Sequence, residues 1–151
     1  MIDVIGTYAP IAAYIFASFA LTPRLLFPFF LFGFINDILN RILKRWIRDP
    51  RPSLFRHEAS SQFDMLTFIA GKWGMPSGHA QHIFYCIGYL LYSGYTRINQ
   101  VDIIPILVLL SLLTLYQRWV YYYHSVLQLV VGSLIGFLFG IFSVRIVVKY
   151  T

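Results

Sequence analysis

Residues 125–148 read SVLQLVVGSLIGFLFGIFSVRIVV, an apolar run whose one charged side chain is Arg145. A helix here offers close to the roughly 20 residues that cross a bilayer. Moving toward the N-terminus, four more helices follow from the pattern. One covers about Val101 to Tyr121, and one opens at Pro76-Ser77 and runs to about Ser93, with Gly94 to Gln100 as the turn between them. Proline in a first turn with serine beside it is favourable helix-start chemistry. Another runs from Arg24 to Arg45, and the first from Ile5 to Leu21, stopped by Thr22-Pro23. The first stretch has neither a basic leader nor a cleavage site and is read as a mature helix. Of 151 residues, 58% are hydrophobic and 12% charged, too few charges to cover a soluble domain of this size. The expected fold class is all-α, a polytopic transmembrane helical bundle of about five helices.

The polar residues are not scattered. They fall into three islands: Lys44 to Pro52 (KRWIRDPRP), Met75 to Gln81 (MPSGHAQ) and Gln117 to Gln128 (QRWVYYYHSVLQ). The first lies at the end of the second helix, the second at the start of the third, and the third straddles the fourth and fifth. Up-and-down threading brings all three to one membrane face. Asn36, Asn40 and Lys44 recur every four residues, so one stripe of the second helix is polar while the rest faces lipid. Asp37 and Arg41 share that spacing and are expected to pair. Residues 53–73 are mixed in composition and read as an interfacial loop with a short amphipathic turn.

Net charge is +6, which in a membrane chain points to anionic headgroups or a cytoplasmic loop. A nucleic-acid partner is not expected, because no basic face with interleaved aromatics lies outside the apolar segments. The single cysteine, Cys86, allows no internal disulfide. No carboxylate–histidine set has metal-ligand spacing, so no metal and no cofactor are expected. There is no internal repeat.

Lys44 and Arg51-Pro52, then Pro76-Ser77-Gly78-His79, then Arg118 and His124 resemble the three-part pattern K-x6-R-P, P-S-G-H, S-R-x5-H-x3-D of the type 2 phosphatidic acid phosphatase superfamily. These are lipid phosphatases related to vanadium haloperoxidases. The resemblance covers about Asn40 to Gly132 and makes residues 1–151 a single integral membrane phosphatase domain. It implies a phosphohistidine mechanism without metal, in which His124 is the nucleophile and His79 the general acid. Lys44, Arg51 and Arg118 would clamp the phosphate oxygens, with Ser77 and the Gly78 N–H as neutral donors at a helix N-terminus. Two positions depart from the pattern. Gln117 replaces a serine, and Gln128 replaces the aspartate one turn beyond the nucleophile. The Gln128 carbonyl can still accept the His124 Nδ1–H and leave Nε2 free, though it cannot neutralise an imidazolium. Glutamine there resembles the dolichyl diphosphate phosphatase branch, which implies a polyprenyl diphosphate substrate and the endoplasmic reticulum. A phosphatidate-type phosphomonoesterase and an inactive lipid-binding scaffold are the alternatives. The chain has one helix fewer than the six common in the family, which leaves a homo-oligomer open.

Other polar residues have plainer readings. Arg45, Arg48 and Arg56 are read as snorkelling cations, and His57 and His82 as structural histidines. Asn36 and Asp37 are interhelical glue, with Asn40 orienting Lys44 one turn on. Trp119 and Tyr121 to Tyr123 form an interfacial aromatic belt. Asp49 and Glu58 are expected to pair with nearby arginines.

Overall fold

The computed structural model describes residues 2–52, 73–94 and 100–150, so the expected interfacial loop, with Arg56, His57 and Glu58, lies outside the described residues. Within them the chain is all-helical: α1 (Ile2–Ala20), α2 (Pro23–Ile47), α3 (Gly78–Ser93), α4 (Gln100–Val120) and α5 (Val126–Tyr150). The expected boundaries hold to within three residues at each end. Pro23 opens α2, where its missing N–H is no loss. Gly94 closes α3 in the left-handed conformation, φ 59°.

Three helices, Pro23–Ile47, Ile103–Val120 and Val126–Lys149, are long and apolar enough to cross a membrane, and the protein is an integral membrane protein. Their outer faces carry large apolar side chains, among them Phe27, Phe34, Leu112 and Leu138. α3 is different. It has 16 residues, about 24 Å of helix at 1.5 Å per residue, and it is the central element, packed by all four others.

Close approach makes that centre possible. A methyl group at Gly132, Gly136 or Gly140 of α5 would fall on the carbonyl oxygen of Ser77, which caps α3, or of Gln81 or Tyr85 within it. Small residues one turn apart let the two backbones meet without side chains between them. On its opposite side α3 sends Tyr85 Oη to the Phe29 carbonyl (2.7 Å) and Tyr89 Oη to the Leu25 carbonyl (3.2 Å) of α2. Nearer the start of α3, the Gln81 amide is held between two asparagines of α2. Gln81 Nε2 donates to Asn36 Oδ1 (2.8 Å), and Asn40 Nδ2 donates to Gln81 Oε1 (2.8 Å). All three side chains are buried, so the polar stripe of α2 faces inward, as its four-residue spacing requires.

Candidate active site

The heads of α3 and α5 and the tails of α2 and α4 meet at one end of the bundle. A pocket of about 100 Å³ opens there, lined among others by Asn40, Lys44, Arg51, Gly78, His79, Arg118 and His124. Seven of the nine residues singled out in the sequence thus surround one cavity. Ser77 and Gln128 lie directly behind it, tied together by the Ser77 N–H donating to the Gln128 carbonyl at 3.1 Å.

His124 sits in the turn between α4 and α5, with its backbone N–H on the Arg118 carbonyl (3.2 Å). Its Nδ1–H points to Gln128 Oε1 at 3.2 Å, the expected one-turn contact. Burial, and then the cations of Arg51, Lys44 and Arg118, hold its imidazole well below the usual histidine range. Neutral at ordinary pH, and with Nδ1 engaged, His124 keeps an in-plane lone pair on Nε2. The second imidazole, His79, stands in the first turn of α3, where Arg118 Nη2 meets its Nε2.

The structure removes Tyr123 from the expected aromatic belt. Trp119, Tyr121 and Tyr122 are exposed, but Tyr123 is 4% exposed. Its ring lies under the Arg118 guanidinium, 4.6 Å from centroid to Cζ, and its carbonyl accepts from Arg51 Nη1 at 3.1 Å. One residue thereby sets the spacing of two arginines. Nothing in the run YYY marks which tyrosine turns inward; the backbone does so through Tyr122, at φ 57°.

Asp49 also departs from its expected role. Among the described residues it makes no ion pair with an arginine; Oδ2 accepts instead from Gln128 Nε2 at 2.6 Å. Gln128 Nε2 also donates to the Pro50 carbonyl (2.8 Å), while its Oε1 takes the Ser125 N–H (3.1 Å) besides His124. Asn40, expected to orient Lys44, has its amide nitrogen on the Pro76 carbonyl (3.2 Å) and Gln81, and so fixes the approach to α3. The sequence marks Gln81 only as a member of its island and gives no sign of this contact. Ser77 Oγ is fully buried with no hydrogen-bond partner among the described residues. Gln117 is not a pocket residue. It is buried against Gly6 of α1, where a methyl group would strike its amide.

The pocket continues past the histidines to a second polar cluster. Asp37 Oδ2 accepts from Arg41 Nη2 and Nε, both at 2.8 Å, as the spacing predicts. His82 Nε2 lies 3.5 Å from Asp37 Oδ1, and its Nδ1 is 3.0 Å from the Tyr14 hydroxyl. Thr7, Pro10 and Ile11 of α1 complete the wall. The result is a narrow, mostly cationic slot, with an imidazole lone pair at one end and apolar α1 at its side. Such a slot can hold a phosphate, and the histidine can displace a group from it.

Comparison with known proteins gives a family. Residues 24–151 match the PAP2 superfamily. The chain is 31% identical over 150 residues to a dolichyldiphosphatase of Saccharomyces cerevisiae, in an alignment that takes in 85% of this chain and 61% of the yeast protein. The chain therefore spans about three-fifths of that relative's length. No solved structure matches significantly. The match from α2 to the end of the chain includes all three polar islands, and the chain belongs to the PAP2 superfamily.

Proposed function

We propose that this protein is a membrane lipid phosphatase that hydrolyses a polyprenyl diphosphate, dolichyl diphosphate being the favoured substrate. The observation that carries the reading is convergence: Lys44, Arg51 and Arg118 surround the same small pocket as His79 and His124. In the proposed reaction His124 Nε2 attacks the terminal phosphorus, and the bond to the bridging oxygen breaks. The electron pair leaves with the lipid monophosphate, and His79 supplies a proton to that oxygen as needed. Water then attacks phosphorus, the P–N bond breaks, and inorganic phosphate departs. The three cations and the Gly78 N–H would stabilise charge on the equatorial oxygens, with Ser77 supporting them from behind the pocket.

Two features support a diphosphate over a monoester. The yeast relative is a dolichyldiphosphatase. The slot also runs on to Arg41, which is paired with Asp37 but keeps further N–H groups that could donate to the lipid-bound phosphate. If the dolichyl reading holds, the endoplasmic reticulum is the expected location.

The test is phosphate release by purified protein in detergent with chelator present. Polyprenyl diphosphate, polyprenyl monophosphate and phosphatidate would be compared for the native chain and His124→Ala. Release from the diphosphate, lost in the variant, is the expected result. Preference for phosphatidate would keep the mechanism and replace the substrate. Inhibition by chelator would overturn the metal-free chemistry. Silence on all three from folded protein would favour a lipid-binding scaffold.

A further inference from the structure

We propose that Asp49 is a positioning residue for His124, acting through the Gln128 amide, so that the carboxylate missing from position 128 is supplied from the first polar island. The inference rests on the phosphatase reading for its kinetic test, but the arrangement stands on geometry alone. Three groups form a hydrogen-bonded chain. His124 Nδ1–H donates to Gln128 Oε1 (3.2 Å), and Gln128 Nε2 donates to Asp49 Oδ2 (2.6 Å).

The amide has only one workable orientation. Oε1 faces two donors, His124 Nδ1–H and the Ser125 N–H; Nε2 faces two acceptors, Asp49 Oδ2 and the Pro50 carbonyl. Turned over, it would set donor against donor and oxygen against oxygen. The amide therefore fixes the imidazole tautomer and aligns its own dipole between carboxylate and ring. The backbone around Asp49 is itself tied down. The Asp49 carbonyl accepts the Gly74 N–H (2.8 Å), and Pro50 bridges to Trp73. At Gly74 a methyl group would strike the Gln128 amide, so the residue against which the relay packs has no side chain.

The electrostatics explain why a carboxylate is useful. The groups acting on His124 are Lys44 from α2, Arg51 after it, His79 from α3 and Arg118 from α4, all cationic or neutral. Nucleophilic attack leaves positive charge on the imidazole. Asp49 is the acidic group hydrogen-bonded, through Gln128, to its far nitrogen.

The isosteric swap tests this. Asp49→Asn keeps an acceptor for Gln128 but removes the charge, and kcat is expected to fall by about ten- to a hundredfold with KM little changed. Gln128→Glu alone would aim a carboxylate oxygen at Asp49 and the Pro50 carbonyl, and is expected to be at least as damaging. The double variant Gln128→Glu/Asp49→Asn moves the charge onto the histidine and lets the new amide donate back, so it is expected to recover most of the lost rate. A double variant no better than the worse single one would overturn the relay, as would an unchanged kcat in Asp49→Asn. Nitrogen-15 NMR of labelled histidine in detergent gives a readout independent of turnover. The His124 titration midpoint should fall in Asp49→Asn and rise above native in the double variant. Identical midpoints would reject the relay even if the native chain hydrolysed nothing, and absent turnover with shifted midpoints would reject only the phosphatase reading.

Discussion

His124 is surrounded by charge of its own sign, and that makes its behaviour with pH specific. Burial and the cations of Arg51, Lys44 and Arg118 disfavour the imidazolium, so protonation begins only well below the ordinary histidine range. As the proposed nucleophile, His124 must be neutral, and kcat/KM reports the free enzyme. The acid limb of kcat/KM is therefore expected below pH 6.5, and Arg51→Met should move it upward while raising KM. An unmoved limb would show that burial alone sets it. The proposed general acid has a different signature. Expelling a lipid alkoxide needs a full proton, whereas a departing alkyl phosphate is a far weaker base, with a second pKa of about 6. His79→Ala should thus depress hydrolysis of a phosphomonoester much more than that of a diphosphate, measured side by side on the two substrates. At this scale the sequence is readable in where its polar groups fall: His79, His124, Lys44, Arg51 and Arg118 stand in the three islands, and all five line one pocket. The roles of Asp49 and Tyr123 are not readable there. The Asp49–Gln128 contact joins residues 79 apart, and no local pattern announces which tyrosine of three turns inward.

Helix packing positions those groups. α5 can hold His124 over the pocket because its glycines let it lie on the backbone of α3. Gly136→Leu would drive a side chain into the Gln81 carbonyl, at an overpacking penalty of about 1–3 kcal/mol. The expected outcome is a lower melting temperature in detergent together with lost turnover, because α3 carries His79 and α5 anchors His124. The reverse change at an exposed position of the same helix, Leu134→Gly, is the control and should leave the site intact. The Gly132, Gly136 and Gly140 spacing is present in the sequence and is a packing signal in membrane helices. Its partner helix is not, since spacing identifies a face without saying what rests against it. The amide of Gln81 illustrates the same point. Its burial between Asn36 and Asn40 follows only from the assembled bundle.

The arrangement of the whole molecule predicts which surfaces share a side of the membrane. The turns after α2 and α4 and the approach to α3 meet at the pocket, while Gly94 ends α3 at the other end. Cys86 is buried, so the native chain offers little background for thiol labelling. Trp46→Cys and Tyr122→Cys should react with an impermeant maleimide from the same side of sealed vesicles, and Gly94→Cys from the other. Labelling of the first two from opposite sides would break the threading on which the site depends. That threading is legible in the sequence, because five alternating helices leave the three islands little choice of end. What length and hydropathy conceal is that the shortest helix is the central one. At about 24 Å, α3 does not match a hydrocarbon layer of about 30 Å, whereas α5, with 25 residues, exceeds it. The level of the proposed site is thus set by the shortest helix among the described residues, too short for the lipid around it. Bilayer thickness becomes a rate variable for a lipid phosphatase: in short-chain lipids the pocket meets the headgroup layer, and in long-chain lipids the substrate headgroup must sink, or the bilayer thin, before reaction.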